Sequence, residues 1–304
     1  MARNAIFNQV IILFLIMLIG FYVRKKKIFN GEINKGLSEL LINITLPCMI
    51  ISSFMMEYDS KMMLKGTKIL IYSIIIHSTL VFVGYLLFLR YPKDKRNVLR
   101  FITVFSNTGF MGYPILYGIL GKTGVFYASI FNIPFNLFLW TVGVMIFTGD
   151  KSFNSIKKVA TNPSTISVFV GLIIFRFSIN IPYSIESTVK MVGDITTPIS
   201  MMIIGSMLAE RSVKEILKDI TLYYGAVVRL ILVPISIFLI MKLLGVEDLL
   251  INICVILEAM PAAVVTAIIA EKYDGNAIYA SQSVFITTVL SIITIPMMVI
   301  LLKF

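Results

Sequence analysis

A single carboxylate stands three residues before a proline inside a long apolar stretch, Glu258-Ala259-Met260-Pro261-Ala262-Ala263. An ionisable group in such surroundings is costly to bury, so it points to proton or ion handling or to a compensating partner. A second stretch, Ser106-Asn107-Thr108-Gly109-Phe110-Met111-Gly112-Tyr113-Pro114, sets polar side chains ahead of two glycines and a proline. Proline removes a backbone donor and clashes with the carbonyl four residues back, and glycine makes unwinding easier. Both stretches are therefore expected to break a helix, near Gly112–Pro114 and near Met260–Pro261. A break leaves carbonyls unpaired on one half-helix and N–H groups on the other. The N-terminal ends carry partial positive charge and suit an anion. The chemistry expected is reversible binding by Asn107, Thr108, Gly112, Tyr113, Pro114, Met260, Pro261 and Ala262, with no bond made or broken. That the two prolines only kink their helices stays open at this point.

Two further prolines, Pro47 and Pro198, each follow a polar residue by four positions, Asn43 and Asp194. Each frees the carbonyl at that polar residue, making a local polar spot in an apolar helix. Asn43 joins the candidate binding residues. Asp194 joins Glu258 as a candidate for a coupling ion, H+ or Na+. An ion pair between Glu258 and Arg229 is the competing reading. His77 is the only histidine, and a lone histidine in an apolar helix reads as a packed residue. Catalytic signatures are missing from the sequence: no second histidine for a zinc protease, no G-x-x-x-x-G-K-[ST] phosphate loop, no GxGD aspartyl pair and no Cys/His cluster. Neither an enzyme nor a cofactor or metal is expected. Cys48 and Cys254 lie in apolar runs and read as small buried hydrophobes.

The elements that must position these residues are membrane spans. Of 304 residues, 58% are hydrophobic and 14% charged, with a mean hydropathy of +0.92, outside the range of soluble domains. A span needs about 20 apolar residues, and ten runs qualify: 5–23, 37–56, 67–89, 97–120, 123–148, 163–180, 187–208, 217–244, 249–270 and 275–302. Lipid leaves no partner for open backbone groups, so the fold expected is all-α and integral to the membrane. The net charge of +11 sits mostly in short loops, as anchors at an anionic leaflet would, and nucleic acid is not an expected partner. Placing both termini outside puts the larger basic clusters within: Arg24 to Lys27, Arg90 to Arg100, Lys151 to Lys158 and Arg211 to Lys218. The first apolar run has no small-residue cleavage site and reads as a retained span.

Short patterns recur in the same order at nearly constant separation: NITLP at 43–47 and DITTP at 194–198, GYP at 112–114 and AMP at 259–261, and YAS at 127–129 and 279–281. They divide the chain into a first five-helix repeat, 1–149, a short inner connector, 150–162, and a second repeat, 163–304. An odd number of spans inverts the second copy, and inverted repeats mark secondary transporters. A receptor or scaffold would need an output domain that this sequence does not contain.

SNTGFMGYPILYGILG at 106–121, NITLPCMIISSF at 43–54, EAMPAAVVTAIIAEKYDGNAIYAS at 258–281 and TTVLSIITIPMMVILL at 287–302 resemble the auxin efflux carrier family along the whole chain. The resemblance implies ten helices in two inverted repeats with broken crossover helices 4 and 9, similar to bile-acid symporters and sodium/proton antiporters. It implies a scaffold of spans 1, 2, 6 and 7, a transport part of spans 3–5 and 8–10, and elevator-like movement of an organic anion. Asn107, Pro114 and Pro261 match the family's substrate positions, and Asn43 its second-span asparagine. A homodimer through the scaffold helices is also implied. The chain departs from plant members in its short central loop and in Glu258, which stands where they have a neutral amide. The expected function is secondary active transport of a small organic anion, a carboxylate, across the plasma (inner) membrane. A sodium-coupled symporter of a bulkier amphipathic acid is the alternative. Substrate, direction and coupling ion are not legible in the sequence.

Overall fold

The computed structural model describes residues 2–149, 161–210 and 219–302. Most of the connector expected at 150–162, with Lys151, Lys157 and Lys158, lies outside the described residues, as do Arg211, Lys214, Lys218 and Lys303. Every regular element among the described residues is helical. In chain order these are α1 Ala2–Lys25, α2 Gly31–Phe54, α3 Ser60–Leu87, α4 Lys93–Val104, α5 (108–120), α6 (122–148), α7 Pro163–Arg176, α8 Tyr183–Asp194, α9 Thr196–Glu210, α10 Ile220–Leu243, α11 Asp248–Ala259, α12 Val265–Lys272 and α13 Ala277–Leu301. α5 and α6 meet at Gly121, whose φ of 59° only glycine adopts without strain.

Six helical runs among the described residues are long and apolar enough to cross a membrane: Gly31–Phe54, Ser60–Leu87, Thr108–Thr148, Tyr183–Ala209, Ile220–Leu243 and Ala277–Leu301. Pro163–Arg176 is apolar but shorter. Large apolar side chains such as Phe82, Leu239 and Ile293 lie exposed on these helices. Water would penalise such surfaces and hydrocarbon accepts them.

Three prolines sit two residues beyond a π turn. Leu41–Thr45 precedes Pro47, Thr108–Gly112 precedes Pro114 and Val228–Leu232 precedes Pro234. A helical proline lacks its N–H and collides with the carbonyl four residues back. One widened turn relieves that collision and lets the helix continue. A fourth π turn, Leu139–Gly143, has no proline after it.

Contacts divide the chain into two units that each draw on both halves of the sequence. Unit 1 comprises Met1–Lys68, Gly109–Asn132 and Ala160–Arg211. Within it α1 and α9 approach so closely that a methyl on Gly20 would lie 2.1 Å from the Met202 carbonyl oxygen. A methyl on Gly205 would lie 1.8 Å from that of Met17. Small residues at a helix crossing gain backbone packing that lipid cannot supply. α2 packs on α7 and α8, and the rings of Phe54, Phe126 and Phe175 interlock.

Unit 2 comprises Ile69–Thr108, Ile133–Val159 and Ser212–Phe304. Here α13 contacts α4, α10, α11 and α12, and α10 lies along α11. Phe101 packs on Phe105 and Phe147, and Phe105 on Phe135, with Gly143 leaving room beneath the first two rings.

Candidate functional site

Two helices of unit 2 stop abruptly in buried surroundings. α4 ends at Val104, and Phe105 turns extended (φ −106°, ψ 103°). α11 ends at Ala259, and Met260 turns extended (φ −65°, ψ 150°). The two unwound stretches pair as a short antiparallel bridge at Ser106 and Ala262. The Asn107 N–H donates to the Pro261 carbonyl at 2.7 Å, and the Ala263 N–H donates to the Phe105 carbonyl at 3.0 Å. The Ala262 N–H donates to Thr287 Oγ1 of α13 at 3.2 Å. Open backbone in a dry interior would cost several kcal/mol per group. Pairing one break with the other removes that penalty for the groups it engages.

The carbonyl ends of the two half-helices are closed by one side chain. Arg229 sits in the π turn of α10 and is fully buried. Its Nη1 donates to the Thr103 carbonyl at 2.8 Å, its Nε to the Met260 carbonyl at 3.2 Å, and its Nη2 to the Glu258 carbonyl. Nη2 also donates to Glu258 Oε2 at 2.6 Å, an ion pair in which neither side chain is exposed. The planar fork of arginine can serve four acceptors on two helices at once; lysine cannot. A cation at a helix C-terminus also offsets the negative end of the dipole. The other carboxylate oxygen, Oε1, lies 3.5 Å from His77 Nε2. His77 is fully buried, its Nδ1 is 2.7 Å from the Ser73 carbonyl, and Phe135 and Phe138 cover its ring.

Unit 2 thus brings together Asn107, Thr108, Glu258, Met260, Pro261 and Ala262, all buried. The first break falls earlier than the expected Gly112–Pro114. The chain is unwound at Phe105–Asn107, Gly112 closes the π turn, and Pro114 lies in the regular helix after it. The π turn absorbs Pro114, so its clash no longer forces an opening there. The second break falls at the expected Met260–Pro261.

Gly112, Tyr113 and Pro114 are buried in unit 1. Asn43, in the π turn of α2, is exposed. Asp194 ends α8, is exposed, and accepts a hydrogen bond from Tyr117 at 2.9 Å. Arg229 counted in the sequence only as a partner for Glu258, and His77 only as packing. Thr103 and Thr287 carry no signal in the sequence, since one acts through its backbone carbonyl and the other is an ordinary hydroxyl in an apolar run. The available signal was the rarity of charge: Arg229 is the basic residue lying deep within a span. Among the described residues no group of three or more His, Cys, Asp or Glu could hold a metal ion, and both cysteines are free.

Residues 5–159 and 151–299 match the family described as Membrane transport protein. The chain is 26% identical to an uncharacterized transporter of Methanocaldococcus jannaschii, over 95% of this chain and 96% of that one. It is 24% identical to a Rhizobium meliloti protein named "Putative malonate transporter", over 67% of this chain and 66% of that one. It is 21% identical to the uncharacterized transporter YfdV of Escherichia coli, over 93% of each. A buried crossing of two broken helices, multiple apolar helices and these matches have one common reading: the chain is a multi-pass membrane protein of the membrane transport protein family, the auxin efflux carriers, whose members are transporters and not enzymes.

Proposed function

We propose that this chain is a secondary active transporter of a small organic anion, a carboxylate, which binds beside the paired breaks of unit 2. One observation carries the reading: the negative ends of α4 and α11 are capped by Arg229. Glu258 cancels the charge of Arg229. The dipole left unbalanced in unit 2 is then the positive N-terminal end of α12, whose first-turn amides favour negative charge. Asn107 and Thr108, both buried in unit 2, add polar side chains beside the paired breaks. The malonate name carried by a Rhizobium meliloti relative agrees with a carboxylate.

Ten spans in two inverted five-helix repeats, with both termini outside, remain our reading of the topology. In an elevator cycle spans 3–5 and 8–10, which hold the crossing, are the moving part, and spans 1, 2, 6 and 7 are the scaffold. Asn43 and Pro114 are assigned to the substrate path on the family resemblance, and Gly112 and Tyr113 on their place in the stretch that leads into Pro114. Sodium coupling at the crossing is disfavoured. A sodium ion would seek the carbonyls of Thr103, Glu258 and Met260, and Arg229 already holds them. Purified protein in liposomes, given labelled malonate and other mono- and dicarboxylates, should show saturable flux that needs no sodium. A panel without saturable flux would remove the proposal.

A further inference from the structure

Glu186, Lys190 and Asp194 recur at every fourth residue of α8, so all three lie along one face of that helix. The helix belongs to a run apolar enough to cross a membrane. Hydrocarbon would penalise each of these charges, so the stripe must meet water or polar partners. Unit 1 supplies the partners. α2 approaches α8 so closely that a methyl on Gly193 would lie 2.8 Å from the Met49 backbone nitrogen. That approach sets Ser52 and Ser53 beside the stripe. The turn at Gly121 brings up Tyr117 of α5 and Lys122 of α6. The Tyr117 hydroxyl donates to Asp194 Oδ1 at 2.9 Å, and Lys122 Nζ lies 3.5 Å from Glu186 Oε1.

Ser52, Ser53, Tyr117, Lys122, Lys190 and Asp194 line a chamber of about 10 Å³, room for about one water molecule. Glu186 lines a larger basin of about 660 Å³, formed with the α2–α3 and α7–α8 connectors. Lys122 faces the chamber and Glu186 the basin, so their ion pair stands at the boundary. Its side chains are 31% and 40% exposed. Ion pairs this exposed hold weakly, so this one can yield to a competing carboxylate.

We propose that the chamber is a seat for a short dicarboxylate, in which Glu186 and Asp194 now occupy the places that the two ends of the ligand would take. The ammonium groups of Lys122 and Lys190 can only donate, and the hydroxyls of Tyr117, Ser52 and Ser53 can donate as well. Two lysines and two acids sum to zero. A dianion is therefore balanced once both acids withdraw to water. Both are placed to do so, since Glu186 borders the basin and Asp194 is exposed. Withdrawal also breaks the two contacts that hold Tyr117 and Lys122 against α8, which opens a chamber too small for malonate as it stands. Seat and latch are thus one set of side chains. The inference shares its ligand class with the carboxylate reading above but stands on other residues, all within unit 1.

Equilibrium binding of labelled malonate to the purified protein tests this, in an Asn107→Ala background that weakens the crossing of unit 2. Lys122→Gln and Lys190→Gln should each weaken binding by about tenfold or more, the loss of one charged hydrogen bond. Glu186→Gln and Asp194→Asn should act in the opposite direction and tighten it by about two- to fivefold, because a partly exposed competitor is gone. Side chains that only brace the fold would all shift binding the same way. Lys190→Arg keeps the charge and should bind as the parent does, with a thermal midpoint that shows intact folding. Lysine variants that bind like the parent would overturn the proposal. So would acid variants that leave binding unchanged or weaken it. Saturable malonate flux with binding indifferent to all four neutralising variants would remove the chamber and leave transport standing. Binding that moves in the two opposite directions, in a protein without flux, would do the reverse.

Discussion

The guanidinium of Arg229 holds the carboxylate of Glu258 at 2.6 Å and, with the same nitrogen, closes the end of the helix that carries Glu258. Charge pairing and helix capping are therefore one interaction, and both groups are fully buried. Breaking a buried pair from one side leaves an uncompensated charge, at about 3–5 kcal/mol.

Arg229→Met should destabilise unit 2 by about that amount and Glu258→Met by a similar one, read as lowered thermal midpoints in detergent. The double variant should be less destabilised than the two singles added together, because no charge is left unpaired. Its remaining deficit reports the backbone carbonyls of Thr103, Met260 and position 258, which lose their donor. Simple additivity would mean that the pair is not coupled in the folded protein.

Asn107→Ala and Thr108→Val should weaken carboxylate binding by about tenfold or more, the equivalent of one hydrogen bond to a charged group. The thermal midpoint without ligand should move little, because the backbone of Asn107 still donates to Pro261. Malonate-induced thermal stabilisation measures the effect. Undiminished stabilisation in both variants would place the ligand elsewhere.

How far the sequence spoke depended on whether a residue acts through its own backbone or through a distant partner. Pro261 interrupts its helix by local chemistry, and the break stands where the proline predicts. Pro114 follows the same rule, yet the π turn Thr108–Gly112 absorbs it and the chain opens earlier, at Phe105–Asn107. No local pattern distinguishes a proline that opens a helix from one relieved by a widened turn. Arg229 and Glu258 were visible as scarce charges. The Thr103 carbonyl that Arg229 caps lies 126 positions away in sequence, and a backbone acceptor leaves no mark in residue type. His77 looked like packing because nothing in a sequence fixes which ring nitrogen meets a carbonyl.

Gly205→Val should abolish folding of unit 1, and Gly20→Val should do the same. A side chain at either position would collide with backbone of the facing helix, at Met17 or Met202, and backbone cannot step aside as a flexible side chain can. Gly31→Val is the control, since a methyl there meets nothing within 4 Å. Monodisperse yield on size exclusion separates the cases; normal yield of Gly205→Val would refute the close crossing of α1 and α9.

At one end of unit 2, Lys95 donates to Asp219 Oδ2 at 2.6 Å, while Asp219 Oδ1 caps α10 through the N–H and hydroxyl of Thr221. Burial pulls the Asp219 carboxyl up, but Lys95 and Thr221 outweigh it and hold it below the ordinary carboxylate value. A carboxylate depressed in the folded state adds stability above its unfolded value, and that stability is lost as pH falls through the folded one. The wild-type thermal midpoint should therefore decline below about pH 4, the ordinary aspartate value. Asp219→Asn should lower the midpoint at neutral pH through loss of the Lys95 pair. The amide oxygen can still cap α10, so the loss should stay near about 1 kcal/mol. The acid decline should be shallower in the variant, because the group that titrates is gone. Parallel acid limbs in the two proteins would show that other carboxylates carry the dependence and that the Lys95–Asp219 contact is idle.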